Sequence, residues 1–92
     1  MKKIKSTVES VVLRFDFSSE LDGIDTAVVA VSIYGAGTDP DVASFLVGSP
    51  QISGTNVFHR IAGGRKGLKY QVRCTATRGS DVILRKDIIY ID

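Results

Sequence analysis

Residues 67–78, GLKYQVRCTATR, constrain the fold more than any other stretch of this chain. Leu68, Tyr70, Val72, Cys74 and Ala76 alternate with Lys69, Gln71, Arg73, Thr75 and Thr77 without exception. A period of two describes an extended strand with one buried and one solvated face. On a helix, at about 3.6 residues per turn, the same apolar residues would spread around the whole circumference. The stretch is therefore a strand, and the rest of the chain has to supply its sheet.

It does so in short segments separated by turn residues. Residues 10–17 point Val11, Leu13, Phe15 and Phe17 one way and Val12, Arg14 and Asp16 the other. Residues 18–25, SSELDGID, combine Ser, Asp and Gly turn chemistry with Leu21 and Ile24, and predict a crossing between sheets that plugs one end of the core. Residues 26–34, TAVVAVSIY, are apolar on both faces, the pattern of a strand whose outer face is also covered. A loop at 35–41 precedes an expected strand at 42–47 containing Phe45, broken by Gly48, Ser49 and Pro50. A very short strand at 51–53 and a strand at 57–61 follow, then a glycine-rich turn at 62–67. After the turn at 78–81, residues 82–91 form the last strand. Its alternation slips, since Val82 and Leu84 share a parity with Lys86 while Asp87 shares one with Ile89 and Ile91; a β-bulge near 85–87 would repair it.

About seven strands at such spacing, with no helix of ordinary length, predict an all-β sandwich or small barrel. Ninety-two residues make a single domain, large enough for one core and too small for a core plus a deep cleft. Residues 1–6, MKKIKS, form a basic N-terminal arm ahead of a domain at 7–92; the arm is either mobile or paired onto a sheet edge or a partner. Its lysines lack the apolar run of a signal peptide, and no stretch approaches the ~20 apolar residues of a membrane span. A cytoplasm-like folding compartment is the expectation.

The inventory for catalysis is thin. His59 is the single histidine and Cys74 the single cysteine, so no internal disulfide forms. Cys74 belongs to the apolar face and reads as a buried filler, away from the electropositive, exposed setting of a reactive thiol. His59 shares its side with Val57 and Ile61. Neither the acids Glu20, Asp22 and Asp25 nor the pair Asp39 and Asp41 follow a calcium-loop pattern, and they read as solvated turn acids. The glycines at 35–37 and 63–67 lack the spacing and following helix of a phosphate loop. No catalytic, cofactor-binding or metal-binding residue is assigned, and no enzyme is expected. Arg65, Lys66, Lys69, Arg73, Arg78, Arg85 and Lys86 concentrate in the last third. Without interleaved exposed aromatics, and with a net charge of only +2, they suit a solvated sheet face or an acidic protein partner, not nucleic acid or a membrane.

Residues 61–72, IAGGRKGLKYQV, resemble the approach to the sixth strand of fibronectin type III and related immunoglobulin-like sandwiches. The resemblance implies that Tyr70 makes a tyrosine corner, its hydroxyl bonding to upstream backbone, with Ile61 as the upstream apolar residue. The missing cysteine pair and core Trp separate the chain from antibody-type domains. A resemblance over most of the chain is to the small β-sandwich fibre–tail adaptors of tailed phages. It is carried by Phe15-Asp16-Phe17-Ser18, by the acidic turn from Leu21 to Thr26, by Gly67, Tyr70, Val72, Cys74, Ala76 and Thr77, and by the closing strand.

The resemblances imply an immunoglobulin-like antiparallel β-sandwich of about seven strands. They also imply a non-enzymatic virion structural protein, made in the host bacterial cytoplasm, that joins tail or head proteins to fibres through sheet edges and end loops. Its partners would be other virion proteins (tail, portal-proximal, fibre or capsid), in homo-oligomeric or many-copy assemblies. A capsid decoration (cement) protein and a carbohydrate or cell-surface recognition module are the alternatives.

Overall fold

The computed structural model describes residues 2–92. Its strands are β1 (Lys2–Lys5), β2 (Ser10–Asp16), β3 (Thr26–Ile33), β4 (Leu46–Ser53), β5 (Asn56–Ala62), β6 (Lys69–Arg78) and β7 (Asp81–Ile91), with one 3-10 helix at Val42–Phe45. They form a four-stranded sheet, β1-β7-β6-β3, and a three-stranded sheet, β2-β5-β4. The two pack face to face as a β-sandwich. The expected strand at 67–78 is β6, the central partner of both β3 and β7. All pairings are antiparallel except β1 with β7.

The core is built from the inward halves of these alternations. Leu13, Phe15 and Phe17 come from β2 and the residue after it, Val57 and Ile61 from β5, Tyr70, Val72, Cys74 and Ala76 from β6, and Ile89 and Ile91 from β7. Each fully buried side chain of this size contributes about 1.5–3 kcal/mol relative to exposure, so the inward rows dominate the stability of so small a domain. The segment between β2 and β3 crosses from one sheet to the other, with Leu21 buried as its plug. Gly54 (φ 60) and Gly79 (φ 59) occupy the first position of the two-residue turns joining β4 to β5 and β6 to β7. A type II′ hairpin turn needs positive φ there, which an L side chain rarely adopts.

Three local expectations are overturned. Residues 42–45 are a 3-10 helix, not the start of a strand. Local polar bonds win over alternation: Asp39 Oδ1 accepts the Asp41 N–H (2.9 Å), and Asp41 O accepts both the N–H and the hydroxyl of Ser44 (2.9 and 2.7 Å). Residues 48–50 do not end the strand, and 51–53 is not a separate one, because β4 runs through both with a register shift between Val47 and Gln51. Gly48 (φ 74) supplies the irregularity, and Pro50 is tolerated because β4 is an edge. Finally, β7 has no bulge at 85–87, since its register with β6 is continuous from Lys69↔Tyr90 to Arg78↔Asp81. Charged residues simply take inward positions: Asp87 is buried, and Arg85 lies over the Phe17 ring (5.5 Å) and pairs with Glu20. Val82 and Leu84 consequently face outward.

Of the arm expected at 1–6, Met1 lies outside the described residues. Lys2–Lys5 is β1, in parallel register with β7 from Lys2↔Ile88 to Lys5↔Ile91. Lys5 is 2% exposed; its ammonium donates to the carbonyls of Ser6 and Gly63 (2.6 Å each) and stands 5.9 Å from the Phe45 ring centroid. Burial lowers its pKa from the ordinary 10.5.

Candidate interaction surfaces

The groups with chemical potential are withdrawn into the sandwich or bound to one another. Cys74 is fully buried on β6, and burial pushes its thiol up to about 11. At neutral pH it carries almost no thiolate, the nucleophilic form. His59 is buried beside Val57 and Ile61 on the inward side of β5, with Nδ1 held 2.9 Å from the Arg60 carbonyl. Asp22 and Asp25 pair with Arg78, and Asp25 also accepts the Gly79 N–H (2.8 Å). Among the described residues no three His, Cys, Asp or Glu side chains are grouped to hold a metal ion.

Tyr70 does form the corner that the resemblance implies. Its hydroxyl accepts the Arg65 N–H (2.9 Å), five residues upstream. It also donates to Asp39 Oδ2 (2.6 Å), and Phe45 stacks on its ring at 4.3 Å and 8°. Asp39, taken from the sequence as a solvated turn acid, is instead the acceptor that completes this corner, its side chain 7% exposed. The Tyr70 hydroxyl, the Asp41 N–H and Arg65 hold its pKa below the ordinary 3.8. Sequence reasoning missed Asp39, Lys5 and the Arg85–Glu20 pair. The one local signal was the Asp39-x-Asp41 spacing, which suits a side chain bonding its own backbone two residues on.

The basic residues of the last third divide between ion pairs and one outer sheet face. Arg65 sits on Asp39, Arg78 on Asp22 and Asp25, and Arg85 on Glu20. Lys69, Arg73 and Lys86 share the outer face of the four-stranded sheet. Lys69 lies 5.4 Å from the Tyr90 ring centroid, and Arg73 donates to Ser32 Oγ (2.8 Å).

That outer face is otherwise apolar and hydroxylic. Its cross-strand rows run Val82–Thr77–Thr26, then Leu84–Thr75–Val28, then Lys86–Arg73–Ala30, then Ile88–Gln71–Ser32. Val28 is 66% exposed, Val82 61% and Leu84 45%. The outward apolar side of β3, read from the sequence as wanting a cover, is thus open and continuous with the outward side of β7. The outer face of the three-stranded sheet exposes Val12 and Val47 on either side of Arg60. No protein-family model matches the chain. No curated protein matches it either.

Proposed function

We propose that the chain is a non-enzymatic structural protein of a tailed-phage virion, an adaptor that joins tail or head proteins to fibres. The observation that carries the binding-module part of this reading is the outer face of the four-stranded sheet. It holds Val28, Val82 and Leu84 exposed on a rigid, hydrogen-bonded platform, whereas the nucleophile and the histidine are buried. Exposed apolar groups on a rigid surface lose little conformational freedom on docking, and their burial is favourable at about 25 cal/mol per Å². Lys69, Arg73 and Lys86 on the same face set orientation against an acidic neighbour. The phage assignment is supported by the sequence resemblance over 15–18, 21–26 and 67–92.

Purified particles from a phage encoding this chain test the reading by mass spectrometry and cryo-electron imaging. The protein is expected at the tail or neck, in a copy number set by the tail's ring symmetry. Coverage of the whole shell would replace the adaptor by a decoration protein, and absence from the particle would overturn the virion role.

A further inference from the structure

The two sheets end in the edge strands β1, β3, β2 and β4, and three of these carry devices against pairing with another chain. β1 is four residues long and mostly lysine. β2 carries Arg14 and Asp16. β4 has Gly48, Pro50 and a register shift. β3 has none of these: TAVVAVSI is eight residues without proline or charge, in unbroken register with β6. A long, regular, uncharged edge is a template for strand addition.

The ladder shows which backbone groups are available. The Tyr34 N–H donates to the Lys69 carbonyl (2.9 Å) and the Ile91 N–H to the Leu68 carbonyl (3.1 Å). In an antiparallel ladder the bonded residues alternate, so the even-numbered residues of β3 bond to β6. The N–H and C=O groups of Ala27, Val29, Val31 and Ile33 therefore point away from the sheet. The side chains of these same residues face the core yet are only half-buried. On the neighbouring edge Ile52, paired with the buried Val57, is 43% exposed.

We propose that β3 is a homodimerisation edge, pairing antiparallel with β3 of a second copy to merge two four-stranded sheets into one. A two-fold axis through Ala30 uses the whole strand. It sets Val29 against Val31 of the second copy and Ala27 against Ile33, each pair with free backbone groups, and keeps inward residues opposite inward ones. Charge favours a second copy over another partner. No charged side chain meets its own image, and a charged foreign strand would find no counter-charge on β3. The nearest like charges are the two Arg73 guanidiniums, each on its own Ser32 hydroxyl. Ser32 lies two residues from the axis, which places them roughly 14 Å apart. That exceeds the Debye length of about 8 Å at physiological salt.

The dimer is independent of the virion role, because particle incorporation and solution pairing are measured separately. Sedimentation equilibrium of the whole chain is expected to show a concentration-dependent monomer–dimer equilibrium. Hydrogen exchange of the same protein is expected to show the amides of Ala27, Val29, Val31 and Ile33 slowed only at high concentration, with those of Val28, Ala30 and Ser32 slow throughout. Ala30→Lys places like charges face to face across the axis and should weaken the dimer about tenfold or more, with an unchanged monomer circular dichroism spectrum. A monomer at millimolar concentration would overturn the proposal. So would a dimer in which the Val29 and Val31 amides exchange as fast as in the monomer.

Discussion

β3 and β4 are edge strands of equal length, eight residues each, one at the end of each sheet, and they solve the edge problem in opposite ways. β4 gives up part of its ladder. Gly48 and Pro50 interrupt it, its register with β5 shifts, and most of its residues are exposed. What holds β4 is its entry, where the 3-10 helix before it inserts Phe45 flat against Tyr70. β3 keeps a complete ladder with β6, without interruption. Forming a strand and protecting its free edge are therefore separate properties. The first follows from alternation and β-branched residues, the second from proline, glycine and charge.

The largest expected effect falls on the β4 side. Phe45→Ala removes the ring stacked on Tyr70 and should cost about 3–5 kcal/mol in urea unfolding. A cost below about 1 kcal/mol would mean that β4 is held by its ladder after all, and the contrast with β3 would fail. Next comes the hydroxyl beneath that ring. Tyr70→Phe removes the hydroxyl that donates to the largely buried Asp39 carboxylate and accepts the Arg65 N–H, and should cost about 1–3 kcal/mol by the same measurement. The pH dependence should change with it. The folded-state pKa of Asp39 is depressed, so its contribution is fully present above the ordinary 3.8 and is lost as pH falls through the lower folded value. The hydroxyl is the first cause of that depression, so Tyr70→Phe should flatten the fall in stability below pH 3.8. An acid limb as steep as that of the unmodified protein would show that Asp41 and Arg65 suffice.

A smaller effect is expected within β4 itself. Gly48→Ala meets no neighbouring atom, but the positive φ should cost about 1–2 kcal/mol, read as a lower urea midpoint. No change would mean that the kink is not imposed by this residue. Smallest of all is Val28→Lys on the exposed face of β3. Monomer stability should stay within about 0.5 kcal/mol, because Val28 is 66% exposed there. A larger loss would show that the outer face supports the fold, contrary to its reading as a docking platform.

Strands were legible with ends displaced by one or two residues, even where alternation was imperfect, as in β3 and β7. β2, β3, β5, β6 and β7 all lie where the pattern puts them. Two of the three misplacements share a cause. At 42–45 the apolar residues suggested a strand, but the bonds of Asp39 and Asp41 are local and compete with any ladder. At 85–87 two charged residues seemed to demand a bulge, but Arg85 is accepted inward by Glu20 and the Phe17 ring. Both depend on partners that an alternation rule does not contain. Tyr70 as the corner was implied by the resemblance of residues 61–72 to the approach to the sixth strand of fibronectin type III-like sandwiches. Its acceptor Asp39, 31 residues upstream, was not.

By itself, then, the sequence determined most of the strands, the inward rows, the hairpin turn at 78–81 and the burial of Cys74, because each depends on residues adjacent along the chain or on a period of two. Only the tertiary structure decided that Arg65, Arg78 and Arg85 pair with separate acids, that the lysine-rich start is a parallel strand of the sheet, and that β3 is left at an edge. Those outcomes depend on which strands become neighbours. Pairing is a cooperative choice of the whole sandwich, made by burial of both inner faces at once, and no single segment encodes it.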